Sequence, residues 1–120
     1  AEQMIPCLLE LGGKNAAIVD ERVDSIEVAA RRIAWGVGFN AGQTCLKPDY
    51  VVVLEKHAAK LKQLLVDCML EFYGPDPAQS PDMGRQVSAN ACARIQKLLG
   101  QDAGDVLCGG DVQPDERYVA

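Results

Sequence analysis

The sequence predicts an α/β fold built on a largely parallel sheet flanked by helices. Three observations predict it. Short apolar runs alternate with stretches in which apolar residues recur at helical spacing. Those helical stretches are long enough to serve as crossovers between parallel strands. Residues 50–54 (YVVVL) form an unbroken β-branched run, which suits a strand buried on both faces. The predicted order is strand, strand, helix, strand, helix, helix, strand.

Residues 5–11 (IPCLLEL) are the first predicted strand, interrupted only by Glu10 and closed by the Gly12-Gly13 turn. Residues 16–19 are a second short strand that closes at Asp20. The period then changes. Asp24 can cap a helix, with Glu27 reaching back from three residues on. Ile26, Ala29, Ala30, Ile33 and Val37 recur at helical spacing. Gly36 and Gly38 weaken the last turn of that helix, and Gly42 lies in the turn that follows. After the strand at 50–54, Ala58, Leu61, Leu65, Cys68 and Phe72 mark a second amphipathic helix, which Gly74-Pro75 stops. Residues 75–81 form a loop with three prolines. Val87, Ala91, Ile95 and Leu98 mark a third helix that ends near Gly100. Residues 106–108 form a short strand before Gly109-Gly110.

A chain of 120 residues fits one small domain. With 48% apolar and 24% charged residues it has the composition of a soluble globular protein. The net charge of −5, with basic residues scattered and only six aromatics, argues against nucleic-acid binding. No apolar run reaches the ~18 residues of a membrane span, and no leader pattern is present. The sequence starts without Met at Ala1 and stops in the extended apolar Tyr118-Val119-Ala120, so a longer protein cut at both ends is expected. A processed small domain is the plainer alternative.

Cys7, Cys45, Cys68, Cys92 and Cys108 are odd in number and widely spaced, a poor disulfide framework. With no C-x-x-C pair and a single histidine, a zinc site is not expected, and no metal is assigned. Reduced thiols point to a reducing, cytoplasmic setting. Cys7, Cys68, Cys92 and Cys108 read as small hydrophobes on strands or helix faces. Cys45 differs: it follows the Gly42-Gln43-Thr44 turn rather than lying on a core face. An unperturbed thiol is only a few per cent thiolate at neutral pH, so a reactive Cys45 needs a base, a cation or oriented backbone N–H groups. The glycine turn could supply such N–H groups and stabilise an oxyanion. An incidental loop cysteine is the alternative.

Glu10 is the other anomaly. A carboxylate in an apolar strand is costly if buried and ionised, so it either shifts its pKa upward or faces a cleft. The functional reading is a general base; the bland one is a solvent-facing glutamate on an edge strand. The strand at 50–54 should carry His57 to the opposite end of the sheet from Cys45, which disfavours a Cys–His pair and leaves His57 a solvated residue near a helix start. Gly12-Gly13-Lys14 lacks the rest of a phosphate-binding loop, no G-x-G-x-x-G follows a strand, and Asp20, Arg22 and Asp24 lack the glycine of a calcium loop. Arg31-Arg32 reads as a solvated helix edge.

The stretch Leu9-Glu10-Leu11-Gly12-Gly13-Lys14-Asn15-Ala16 resembles the glutamate signature of the aldehyde dehydrogenase superfamily. Phe39-Asn40-Ala41-Gly42-Gln43-Thr44-Cys45 resembles its cysteine signature. The two stand in the family's order, with 35 positions from Glu10 to Cys45. Ala34-Trp35, Pro48-Asp49-Tyr50, Glu71-Phe72-Tyr73-Gly74 and Ser80-Pro81-Asp82 are most similar to the class 3 and fatty aldehyde dehydrogenase branch.

The resemblance implies a Rossmann-like catalytic-domain segment over residues 1–120, with the cofactor-binding domain and oligomerisation strands outside it. It implies oxidation of an aldehyde to an acid with NAD or NADP. Cys45 would be the nucleophile, passing through a thiohemiacetal and a thioester. Glu10 would activate the hydrolytic water. Leu11 and Gly12 would line the nicotinamide through backbone atoms, and the Cys45 N–H would be one oxyanion donor. Medium- or long-chain aliphatic, or aromatic, aldehydes are the implied substrates, and the parent enzyme would be a homodimer. The isolated chain would be inactive. A non-catalytic remnant that keeps the fold or binds a full-length subunit, and a cofactor-free cysteine esterase, are the competing readings. Lys47 departs from the family, which has a small residue there; it would lower the thiol pKa, crowd the aldehyde channel or face solvent.

Overall fold

The computed structural model describes residues 4–101 and 104–120. β1 (Asn15–Val19) and β2 (Pro48–Val53) form a two-stranded parallel sheet, joined by the crossover helix α1 (Ile26–Gly38). Helix α2 (Glu55–Tyr73) follows β2 directly, and α3 (Ala89–Gln101) follows a long loop. A small antiparallel ladder, β3 (Val112–Gln113) with β4 (Tyr118–Val119), closes the chain. The parallel sheet with its flanking helices bears out the predicted fold class.

Alternation along the strands decides which face is buried. Ala17 and Val19 on β1, with Val51 and Val53 on β2, pack with Ile26, Ala30 and Ile33 of α1 and with Leu61, Leu64 and Leu65 of α2. The opposite face of the sheet carries Ile18, Tyr50 and Val52, all exposed. Two ion pairs join the helices on the surface: Lys60 to Glu27, and Arg31 to both carboxylate oxygens of Glu71 at 2.6 and 2.8 Å. The Arg31 guanidinium also lies over the Phe72 ring, 4.9 Å from its centroid.

Several elements differ from expectation. Residues 5–11 are not a strand; the segment is exposed and irregular. Residues 106–108 are likewise irregular and exposed. An apolar run has strand propensity, but a strand exists only where a partner satisfies its backbone, and neither run has one among the described residues. The ladder at β3 and β4 was not anticipated, since two residues per strand give no periodicity to read. Ser25, not Asp24, caps α1: its Oγ accepts from the Val28 N–H at 3.2 Å and donates to Glu27 at 3.1 Å. Helix α1 runs through Gly36 and ends at Gly38, where a weakened last turn was expected, but Val87 precedes α3 rather than lying on it. Cys68 and Cys92 are buried as expected, whereas Cys7 and Cys108 are exposed because their predicted strands do not form.

Candidate active site

Helix α1 ends at Gly38, and the chain then makes a short 3-10 turn over Phe39–Gly42. The turn is unusual. Asn40 (φ 54°) and Ala41 (φ 52°) are left-handed, and Gly42 follows at φ 75°. Glycine takes this conformation freely and asparagine tolerates it, but alanine does so at a cost of about 1–2 kcal/mol. Cys45 comes three residues later, in the turn that enters β2. It is half-buried and has no disulfide partner. Among the described residues, the N–H groups of Thr44, Cys45 and Leu46 find no hydrogen-bond acceptor.

Two segments hold this turn. The first is the entry to β1. Asn15 Nδ2 donates to the Cys45 carbonyl at 2.5 Å and to the Lys47 carbonyl at 3.2 Å. Gly13 runs so close that a side-chain carbon there would overlap the Cys45 carbonyl oxygen. The second is the loop before α3. Gln43 spans that backbone, donating to the Arg85 carbonyl at 3.0 Å while its Oε1 accepts from the Val87 N–H at 2.8 Å. Gln86 answers in the other direction, its Nε2 donating to the Ala41 carbonyl at 3.0 Å. Arg85 and Gln86 are in turn tied to the terminal ladder. The Arg85 guanidinium lies over the Tyr118 ring, and the Gln86 N–H donates to the Arg117 carbonyl at 2.7 Å.

Lys47 is half-buried, with its charge paired rather than facing open solvent. Its Nζ lies 2.6 Å from Asp49 Oδ1, and Lys14 meets the other oxygen of Asp49 at 3.1 Å. Lys47, and then Lys14, hold the Asp49 carboxyl below the usual range by hydrogen bonding. The cation two residues after Cys45 is thus committed to a carboxylate that also binds the stretch following Glu10.

Glu10 lies in the exposed segment ahead of Gly12-Gly13, so the desolvation expected of a strand-buried carboxylate does not arise. Its Oε1 accepts from the Gly12 N–H at 3.2 Å. Leu11 is exposed, and Gly12 (φ 130°) borders open space. The structure therefore brings the residues just after Glu10 onto the Cys45 turn, while the Glu10 side chain itself bonds within its own segment. His57 lies beyond β2, in the first turn of α2, as expected. Its Nε2 is buried with no hydrogen-bond partner among the described residues, however, so the ring is not the solvated group expected.

Sequence reasoning missed Asn15, Asp49 and Gln86. Asn15 and Asp49 lay within quoted motif stretches, but nothing marked them as bracing groups. Gln86, a lone amide before a helix, carried no signal at all. Among the described residues no cluster of His, Cys, Asp and Glu could hold a metal ion, and no helix is long and apolar enough to cross a membrane.

Comparison with known proteins gives a consistent result. A family model described as the aldehyde dehydrogenase family matches residues 1–120. The chain is 41% identical over 120 residues to "Aldehyde dehydrogenase family 3 member B1" of Mus musculus, covering all of this chain and 25% of that protein. It is 42% identical over 119 residues to "4,4'-diaponeurosporen-aldehyde dehydrogenase" of Staphylococcus aureus, covering 99% of this chain and 26% of that protein. A solved structure titled "Substrate bound state of Staphylococcus Aureus AldH" superposes with a TM-score of 0.88 at 41% identity, over 99% of this chain and 26% of that one. The chain thus spans about a quarter of the length of the relatives it matches.

Proposed function

The chain belongs to the aldehyde dehydrogenase family, and from this we propose that its 120 residues are a catalytic-domain segment of an enzyme that oxidises an aldehyde to a carboxylic acid. The observation that carries the reading is the setting of Cys45. It sits in a turn braced from two sides, beside backbone N–H groups with no acceptor among the described residues.

In this reading Cys45 Sγ attacks the carbonyl carbon, and the Cys45 N–H donates to the oxygen as it becomes negative. The residues present suit a nicotinamide dinucleotide, because Gly12 borders open space where a flat ring can approach the backbone of Leu11 and Gly12. Bound NAD or NADP supplies the hydride acceptor. Glu10 takes a proton from the water that attacks the Cys45 thioester, releasing the acid and the thiol. For this step Glu10 must reach over the turn, and Gly12, which borders open space, is where its exposed segment can bend, while Gly13 stays against the Cys45 carbonyl. The free thiols support a reducing, cytoplasmic setting.

Because the chain covers a quarter of its relatives, the activity belongs to the longer polypeptide, and the isolated segment is inactive in this reading. The test uses the complete enzyme. Cys45→Ser should abolish acyl-enzyme formation; normal turnover would refute the nucleophile. Glu10→Gln should keep the first-turnover burst of dinucleotide reduction while the steady-state rate falls by about 10²–10⁴. An unchanged steady state would remove Glu10 from the mechanism. Turnover of activated esters without added dinucleotide, and no aldehyde oxidation with it, would favour a cysteine esterase.

A further inference from the structure

We propose that Gln86 is a positioning residue for Cys45: its buried side-chain amide holds the left-handed turn that leads into the nucleophile. The inference rests on Cys45 being that nucleophile. Ala41, at φ 52° and ψ 39°, has no polar side chain with which to stabilise a left-handed backbone locally. The bonds inside the turn run between Asn40 and Gln43 and leave the Ala41 carbonyl to a partner outside it. The Gln86 amide meets that need directly, donating to the carbonyl of Ala41 itself. Gln86 is only 5% exposed, and its own N–H is fixed by the Arg117 carbonyl. Gly84 matters too, because a side-chain carbon there would come within 3.3 Å of Ala41 Cβ.

The consequence is directional. If the peptide after Ala41 rotates back toward an ordinary conformation, Gly42 and the N–H groups of Thr44 and Cys45 turn with it. The thiol and the donors beside it then lose their common orientation. Gln43 braces the same turn through the carbonyl of Arg85 and the N–H of Val87, and its N–H and Nε2 also donate to the carbonyl of the left-handed Asn40 at 3.1 and 3.0 Å, but none of these bonds reaches the carbonyl of Ala41. Gln86 alone of the pair bonds to Ala41.

The test compares native enzyme, Gln86→Met, Ala41→Gly and the double variant, each in the complete polypeptide. Iodoacetamide alkylation of Cys45 is mapped by mass across pH, against a free cysteine derivative, with folding followed by circular dichroism. Methionine keeps the side-chain length but cannot donate. Gln86→Met should slow Cys45 by about tenfold or more and displace its pH profile. Glycine adopts the left-handed turn unaided, so the double variant should regain most of the native rate. A merely structural glutamine would move neither the pH profile nor show that rescue.

A Gln86→Met profile that superimposes on the native one overturns the proposal, as does a double variant no better than Gln86→Met. If Gln86→Met fails to fold, a double variant that folds and reacts supports the proposal, and one equally unfolded overturns it. If native Cys45 reacts no faster than the free derivative, the nucleophile assignment falls and takes this inference with it. Fast native Cys45 that is indifferent to Gln86→Met sinks this inference alone.

Discussion

A side chain at Gly13 has nowhere to go, because the Cys45 carbonyl occupies the space. Gly13→Ala should therefore push the entry of β1 off the Cys45 turn, at a cost of about 1–3 kcal/mol. The denaturant midpoint should fall and mapped alkylation of Cys45 should change together; a variant that moves neither is inconsistent with the contact. Gly12 differs. It borders open space but sits at φ 130°, so an alanine there meets backbone strain rather than collision. Asn15→Leu removes both donors to the turn and should cost about 0.5–1.5 kcal/mol for each lost bond. At this scale the sequence shows its candidates as departures from the local pattern. A thiol beside a glycine turn is a visible anomaly, as is a carboxylate in an apolar run. The bracing amides were not legible, because Asn15 and Gln86 act through distance in space, and a lone amide has no periodicity.

Helices α1 and α2 were readable from their apolar spacing because packing and pattern agree on both. Their ion pairs give the elements a pH response. The Glu27 carboxyl is lowered from 4.5 to about 2, first by the hydrogen bond from Lys60. Glu71 is lowered too, first by the hydrogen bond from Arg31. A depressed carboxyl stabilises the fold above its unfolded value, and that contribution disappears as pH falls from 4.5 toward about 2. The thermal midpoint should accordingly drop across that window. Lys60→Met or about 1 M salt should shallow the drop, since both groups are exposed and screened. A drop of equal depth under all three conditions would assign the acid sensitivity elsewhere. By contrast Leu61→Ala, in the core between α2 and the sheet, should cost about 2–5 kcal/mol at neutral pH. The strands were less legible than the helices. Residues 5–11 carry strand propensity without a partner, whereas β1 and β2 owe their existence to pairing that no local window contains.

The molecule as a whole is extended for its length. Its radius of gyration is 16.5 Å, against about 13–14 Å for a compact chain of this size. One face of the sheet carries the helices while Ile18, Tyr50 and Val52 on the other stay exposed. A parallel sheet ordinarily has both faces covered. The isolated chain should therefore bind an apolar fluorescent dye in its folded state, and Ile18→Lys with Val52→Lys should weaken that signal. A folded chain that leaves the dye dark would mean the face is closed in solution. The pairing of Asn15 with Pro48 has a further consequence, for the order of events in folding. Helix α1 can form from local contacts, but the two strand entries meet only after the intervening loop and helix have closed. Cys45 sits one side of that meeting point and Asn15 the other. The surroundings of Cys45 thus come into being with the strand pairing and not with the helices. During refolding, helical dichroism should rise before Cys45 acquires its native alkylation rate, so that one thiol reports the moment the sheet closes.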